Sequence, residues 1–72
     1  MFGLSENIIK MLKEEYPAGT RIKCLSMSDP YRDLSGECGT VRLVDDAGTI
    51  HVNWDCGSGL GLVYGEDHFM KL

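Results

Sequence analysis

Apolar positions along the chain change their period once. Leu4, Ile8, Leu12 and Tyr16 recur every fourth residue with Ile9 beside them, while Lys10, Lys13 and Glu14 fall off that stripe. A recurrence of this kind is one face of a helix, and it predicts a helix over residues 5–16. Ser5 suits the N-cap, Glu6 sits where the helix dipole favours an acid, and Pro17 and Gly19 end the run. A helix this short is marginal alone in water, so the stripe needs a surface. The strands that follow are the expected one, and a second copy of the chain is the alternative.

From Thr20 onward the period drops to two. A first strand over 20–25 places Ile22 and Cys24 on one face and Arg21 and Lys23 on the other. A second over 38–44 turns Val41 and Leu43 inward. A third over 49–54 sets Ile50, Val52 and Trp54 against Thr49, His51 and Asn53. A fourth is expected over 60–64 and a last over 69–72. Asp45-Asp46-Ala47-Gly48 has the chemistry of a type I turn closed by a left-handed glycine, and Asp55-Cys56-Gly57-Ser58 repeats it. Gly65 to His68 forms a short turn, and residues 26–36 form a long polar connection. Five short strands behind a long first loop predict a mainly β (α+β) fold: an SH3-like five-stranded small barrel with one N-terminal α-helix. Residues 1–17 are the amphipathic helix and 18–72 the barrel, together one domain. Pairing of the last strand with the first would close the barrel and remove its edges.

Composition narrows the partners. The 72 residues carry seven basic and eleven acidic side chains, a net charge of -4. The imbalance is local: residues 1–25 carry four basic and three acidic side chains, and residues 26–72 three basic and eight acidic. Phosphate neutralisation wants the opposite balance, so nucleic acid is disfavoured as a partner. Three cysteines cannot all pair within one chain, which argues against a disulfide framework and for a reduced, cytoplasmic setting. Charges interrupt the N-terminal segment, which predicts neither a signal peptide nor a membrane span.

Tyr16-Pro17-Ala18-Gly19-Thr20-Arg21, Met27-Ser28-Asp29-Pro30-Tyr31, Gly39-Thr40-Val41, Val44-Asp45-Asp46-Ala47-Gly48, Val52-Asn53-Trp54-Asp55 and Gly65-Glu66-Asp67 together resemble an uncharacterised bacterial and phage small-barrel family, domain of unknown function 4314. The resemblance covers nearly the whole chain. It implies a small barrel common in mobile elements and brings no activity with it. Cys56 and Tyr64 depart from that pattern, which has Asn and Pro there. The Gly-Thr-Val run with its Trp-Asp turn also resembles SH3-like modules that bind peptides or proteins, a likeness of fold more than of function.

Chemistry is sparse. Cys24, Cys38, Cys56, His51 and His68 lack the close cysteine spacing of a zinc site, and no metal or other cofactor is expected. Cys56 lies in a turn beside Asp55, which works against a reactive thiolate. Asp45 and Asp46 read as turn formers, and Asp29 and Asp33 as loop aspartates bonded to backbone. Gly57-Ser58-Gly59-Leu60-Gly61 lacks the lysine and following helix of a phosphate loop. The remaining set is aromatic and acidic: Asp29, Tyr31, Arg32, Asp55, Tyr64 and Asp67, placed on the first loop and later turns. Trp54 continues the Ile50–Val52 face, which favours the core over the surface for it. The pattern predicts a non-enzymatic module, monomeric or weakly homodimeric, that binds a protein or peptide and no membrane. The second reading is a nucleic-acid-binding barrel of a mobile element, with Arg21, Lys23, Arg32 and Arg42 on one face.

Overall fold

The computed structural model describes residues 4–27 and 33–72. Helix α1 spans Glu6–Glu15. Ser5 caps it, its Oγ accepting the Ile8 N–H at 3.2 Å, and the Tyr16 N–H closes the far end on the Leu12 carbonyl at 2.8 Å. The strands are β1 (Arg21–Ser26), β2 (Cys38–Val44), β3 (Thr49–Trp54), β4 (Leu62–Val63) and β5 (His68–Lys71). They form one antiparallel sheet in the order β4-β3-β2-β1-β5.

The expected pairing of last strand with first is present, with Ile22 opposite Lys71 and Cys24 opposite Phe69. Full closure is not. β4 and β5 stand at opposite ends of the sheet, and one isolated bridge, Tyr64 to Asp67, lies between them. The cause is the shortness of β4. The expected strand over 60–64 shrinks to Leu62–Val63: at one end the Leu60 carbonyl accepts the Trp54 indole N–H at 2.6 Å, and at the other the Val63–Asp67 bonds turn the chain at Tyr64. Two residues offer too few ladder bonds to seam an edge.

Leu43 also departs from expectation: it is 47% exposed, and Val44 is buried in its place. Val52 faces Val41 and His51 faces Leu43, so β2 carries one residue more than β3 at that point. This is a β-bulge, which resets the inward phase by one position.

The core holds Ile22, Cys24, Val41, Val44, Ile50, Val52, Trp54 and Leu62 from the sheet side and Leu12 from α1. Trp54 is thus a core residue. Its ring lies over Gly39, where an added Cβ would meet Val52 Cγ1 at 2.6 Å and Trp54 Cε3 at 3.0 Å. Leu4, Ile8, Met11 and Tyr16 pack around the same cluster, so the stripe docks on the sheet. Complete burial of one leucine side chain is worth roughly 2 kcal/mol. Two ion pairs fasten the helix: Lys13 to Asp46 at 2.7 Å and Lys71 to Glu15 at 2.6 Å. The Lys71 hydrogen bond holds the Glu15 carboxyl below its usual value.

The β2–β3 turn forms as its residues dictate. Asp45 Oδ1 accepts the Ala47 and Thr49 N–H groups at 3.0 and 2.9 Å, and Gly48 closes the turn at φ +88. Among the described residues no helix is long and apolar enough to cross a membrane.

Candidate functional site

Of the six residues singled out by sequence, Asp29, Tyr31 and Arg32 lie outside the described residues. The other three separate into two kinds. Asp55 sits just past β3, and both of its carboxylate oxygens receive the Arg21 guanidinium, at 2.8 and 2.7 Å. Arg21 Nη1 also donates to Thr40 Oγ1 at 3.0 Å. The result is a clamp across β1, β2 and the turn after β3. The Arg21 hydrogen bond lowers the Asp55 carboxyl below its usual range. Asp55 is therefore engaged within the fold rather than presented at the aromatic site.

Asp67 and Tyr64 come together. Asp67 is 8% exposed, its Oδ2 accepting the Val63 N–H at 2.9 Å while its own N–H donates to the Val63 carbonyl at 2.9 Å. Those bonds fold residues 64–67 into a tight turn that leaves Tyr64 on the surface. Tyr64 then borders a depression of about 340 Å³ with Tyr16, Leu25, Gly65, Asp67, His68 and Phe69. Tyr16 meets Phe69 edge to face, with ring centroids 5.4 Å apart, and Lys71 Nζ stands 5.1 Å from the Tyr16 centroid. Edge-to-face pairs of this kind fix ring orientation beyond simple area burial.

Sequence reasoning missed Tyr16, Leu25, His68 and Phe69 as parts of this site. The helix stripe accounts for half of the role of Tyr16: it packs on the core and lines the depression as well. Leu25 carried a readable signal. Two adjacent apolar residues, Cys24 and Leu25, break strict alternation, and the pairing shifts register between Cys24 and Ser26. Alternation past the buried Cys24 turns Leu25 outward, and the bulge leaves Ser26 exposed beside it.

The remaining candidates resolve into local roles. Asp33 accepts the Ser35 N–H at 2.9 Å and also bonds the Ser35 hydroxyl, a loop closure of the expected kind. His51 Nε2 lies 2.8 Å from Asp45 Oδ2, and that hydrogen bond, ahead of the turn's N–H donors, lowers the Asp45 carboxyl. Burial raises the Cys24 thiol, and the charges of Asp67 and Asp33 add to it, which suits an unreactive core cysteine. Cys56 is exposed in its turn and Cys38 is half-buried on β2. Lys23 shares the outward side of β1 with Arg21, and Arg42 is exposed in the β2 bulge.

No match was found among curated proteins or among solved structures. A family model does match, over residues 5–72, from the capping serine of α1 through β5. The chain belongs to the family described as Domain of unknown function (DUF4314).

Proposed function

We propose that this chain is a non-enzymatic interaction module, an SH3-like barrel left open at one seam, that takes a protein or peptide segment in the depression around Tyr64. The observation that carries the reading is the convergence there of Tyr16, Leu25, Tyr64 and Phe69 from four separate parts of the chain. Rigid aromatic rings offer contact area at low entropic cost. The strand order, with β1 between β2 and β5 behind a long first connection, supports the SH3-like assignment. The acidic balance of residues 26–72 and the engagement of Arg21 by Asp55 favour a protein partner over nucleic acid. Three free cysteines support a reducing, cytoplasmic setting.

Selection from a random-peptide display library tests the reading. The wild-type chain should enrich a convergent motif with an apolar anchor, and Tyr64→Ala and Leu25→Ala should each lose at least tenfold in affinity for it. No enrichment, or equal binding by all three proteins, overturns the proposal.

A further inference from the structure

The two edges of the sheet differ in what is left of their hydrogen-bonding groups. At β4 the edge is closed from within. The Val63 N–H is taken by the Asp67 carboxylate, and the Val63 carbonyl accepts the N–H groups of Asp67 and Glu66 at 2.9 and 3.1 Å. At β5 the ladder phase leaves the outer side open. The Leu72 N–H donates to the Arg21 carbonyl at 3.0 Å, so Arg21 and Leu72 are a hydrogen-bonded pair. Antiparallel pairs alternate. Lys23–Met70 is then hydrogen-bonded, whereas Ile22–Lys71 and Cys24–Phe69 are not. Cys24 gives the same phase independently. Its N–H donates to the Glu37 carbonyl and its carbonyl accepts the Gly36 N–H, both at 2.8 Å and both on the β2 side. The N–H and C=O groups of Phe69 and Lys71 therefore point away from β1, and no described residue bonds them.

Edge strands are often guarded by a lysine that reaches across them. Lys71 does not serve that way. Its ammonium is drawn to Glu15 at 2.6 Å and to the Tyr16 ring. Beside the exposed His68, the outward face of β5 and the residue after it present apolar side chains, with Met70 46% and Leu72 65% exposed.

We propose that β5 pairs with β5 of a second copy of this chain, antiparallel about a twofold axis through Met70. In that register Phe69 faces the partner copy's Lys71, and Lys71 faces its Phe69, so all eight outward groups of the two strands pair. The two Met70 side chains meet at a non-hydrogen-bonded position, where facing side chains approach most closely. Leu72 of each copy lies opposite His68 of the other, covering apolar surface that is open in the monomer. No two like charges face each other, and the two sheets join into one of ten strands. An isologous contact of this kind uses one patch twice. A four-residue strand buries little area, so the dimer is weak and reversible.

Sedimentation equilibrium from about 1 μM to about 1 mM, with amide hydrogen exchange followed residue by residue, tests the pairing. The mass should double over that range, and the Phe69 and Lys71 amides should gain protection with concentration. Met70→Lys, which sets two charges face to face, should keep the chain monomeric at every concentration. Lys71→Pro should do the same, since it removes an N–H that the β1 ladder does not use. Lys71→Ala keeps that N–H and should still dimerise. A spectrum with native dispersion establishes that each variant folds, and Met70→Lys serves if the proline variant does not. A chain that stays monomeric to 1 mM with both amides unprotected overturns the proposal. So does a dimer indifferent to Met70→Lys, or protection of those amides by an added extended peptide alone.

Discussion

The β2–β3 hairpin and the β4–β5 segment are both closed by an aspartate, and they end up with opposite characters. In the hairpin, Asp45 bonds its own turn and His51, while long strands on either side supply a full ladder. Its side chains are thereby freed for the core, and Val41, Val44, Ile50, Val52 and Trp54 are all buried. In the β4–β5 segment the strand is two residues long, and the Asp67 carboxylate stands in for a missing ladder partner. Of the apolar residues of that segment Leu62 is buried and Phe69 packs on the core, but Val63, Tyr64 and Met70 stay at the surface. Long strands let the backbone do the holding. A short strand uses a side chain for it and leaves apolar groups available for contact.

Substitutions that break the contrast should rank accordingly. Ile50→Ala empties a fully buried position in the hairpin and should cost about 3 kcal/mol in denaturant unfolding, whereas Val63→Ala, on the exposed side of β4, should cost under about 1 kcal/mol. Similar losses at the two sites would erase the distinction. Asp67→Ala should cost about 1 kcal/mol, because it leaves a part-buried N–H without its acceptor. Asp67→Asn keeps an acceptor oxygen and should recover most of that stability, with Val63 amide exchange as the direct readout. Gly48→Ala, at φ +88 with a new Cβ 2.6 Å from Leu4 Cδ1, should cost about 1 kcal/mol and loosen the helix against the turn.

Acid should act on the hairpin through Asp45. Its folded-state carboxyl lies below the unfolded value, so the stabilisation is complete above the ordinary carboxylate range and is lost as pH falls through the folded value. Thermal unfolding should show a midpoint that declines below about pH 4, and the Asp45→Asn chain should show a flatter profile there. The smallest effect belongs to the depression. Tyr64→Ala should change unfolding stability by no more than about 0.5 kcal/mol, so any loss of peptide binding in that variant reports contact rather than folding.

Most of the frame was legible because it rests on local rules. β2 and β3 fall at the residues their alternation indicates, the helix differs by one residue at each end, and the Asp45–Gly48 turn follows from its composition. What the pattern hid depends on partners. The bulges at Leu43 and Leu25 are properties of paired strands, since an extra residue exists only relative to the strand opposite. The truncation of β4 goes with two side-chain bonds, Trp54 to the Leu60 carbonyl and Asp67 to the Val63 N–H, that no periodicity encodes. The site was half legible for the same reason. Tyr64, at the end of the expected fourth strand, and Asp67, in the turn after it, are named by sequence as partner-binding candidates, but Tyr16 and Leu25 join them only through tertiary packing. Asp55 looked equally available until Arg21, 34 residues away, claimed both of its oxygens.

The ion pair from Glu15 to Lys71 spans 56 positions of the chain. Synthesis runs from the N-terminus at several residues per second, so α1 leaves the ribosome seconds before the lysine that fastens it. In that interval β2, the strand α1 packs against, and Asp46, the partner of Lys13, are already made, so the stripe has its own surface before its second fastening. The helix is held at one point first and at another last: a chain cut short before β5 keeps the Lys13–Asp46 pair and lacks only the Lys71 clasp on Glu15.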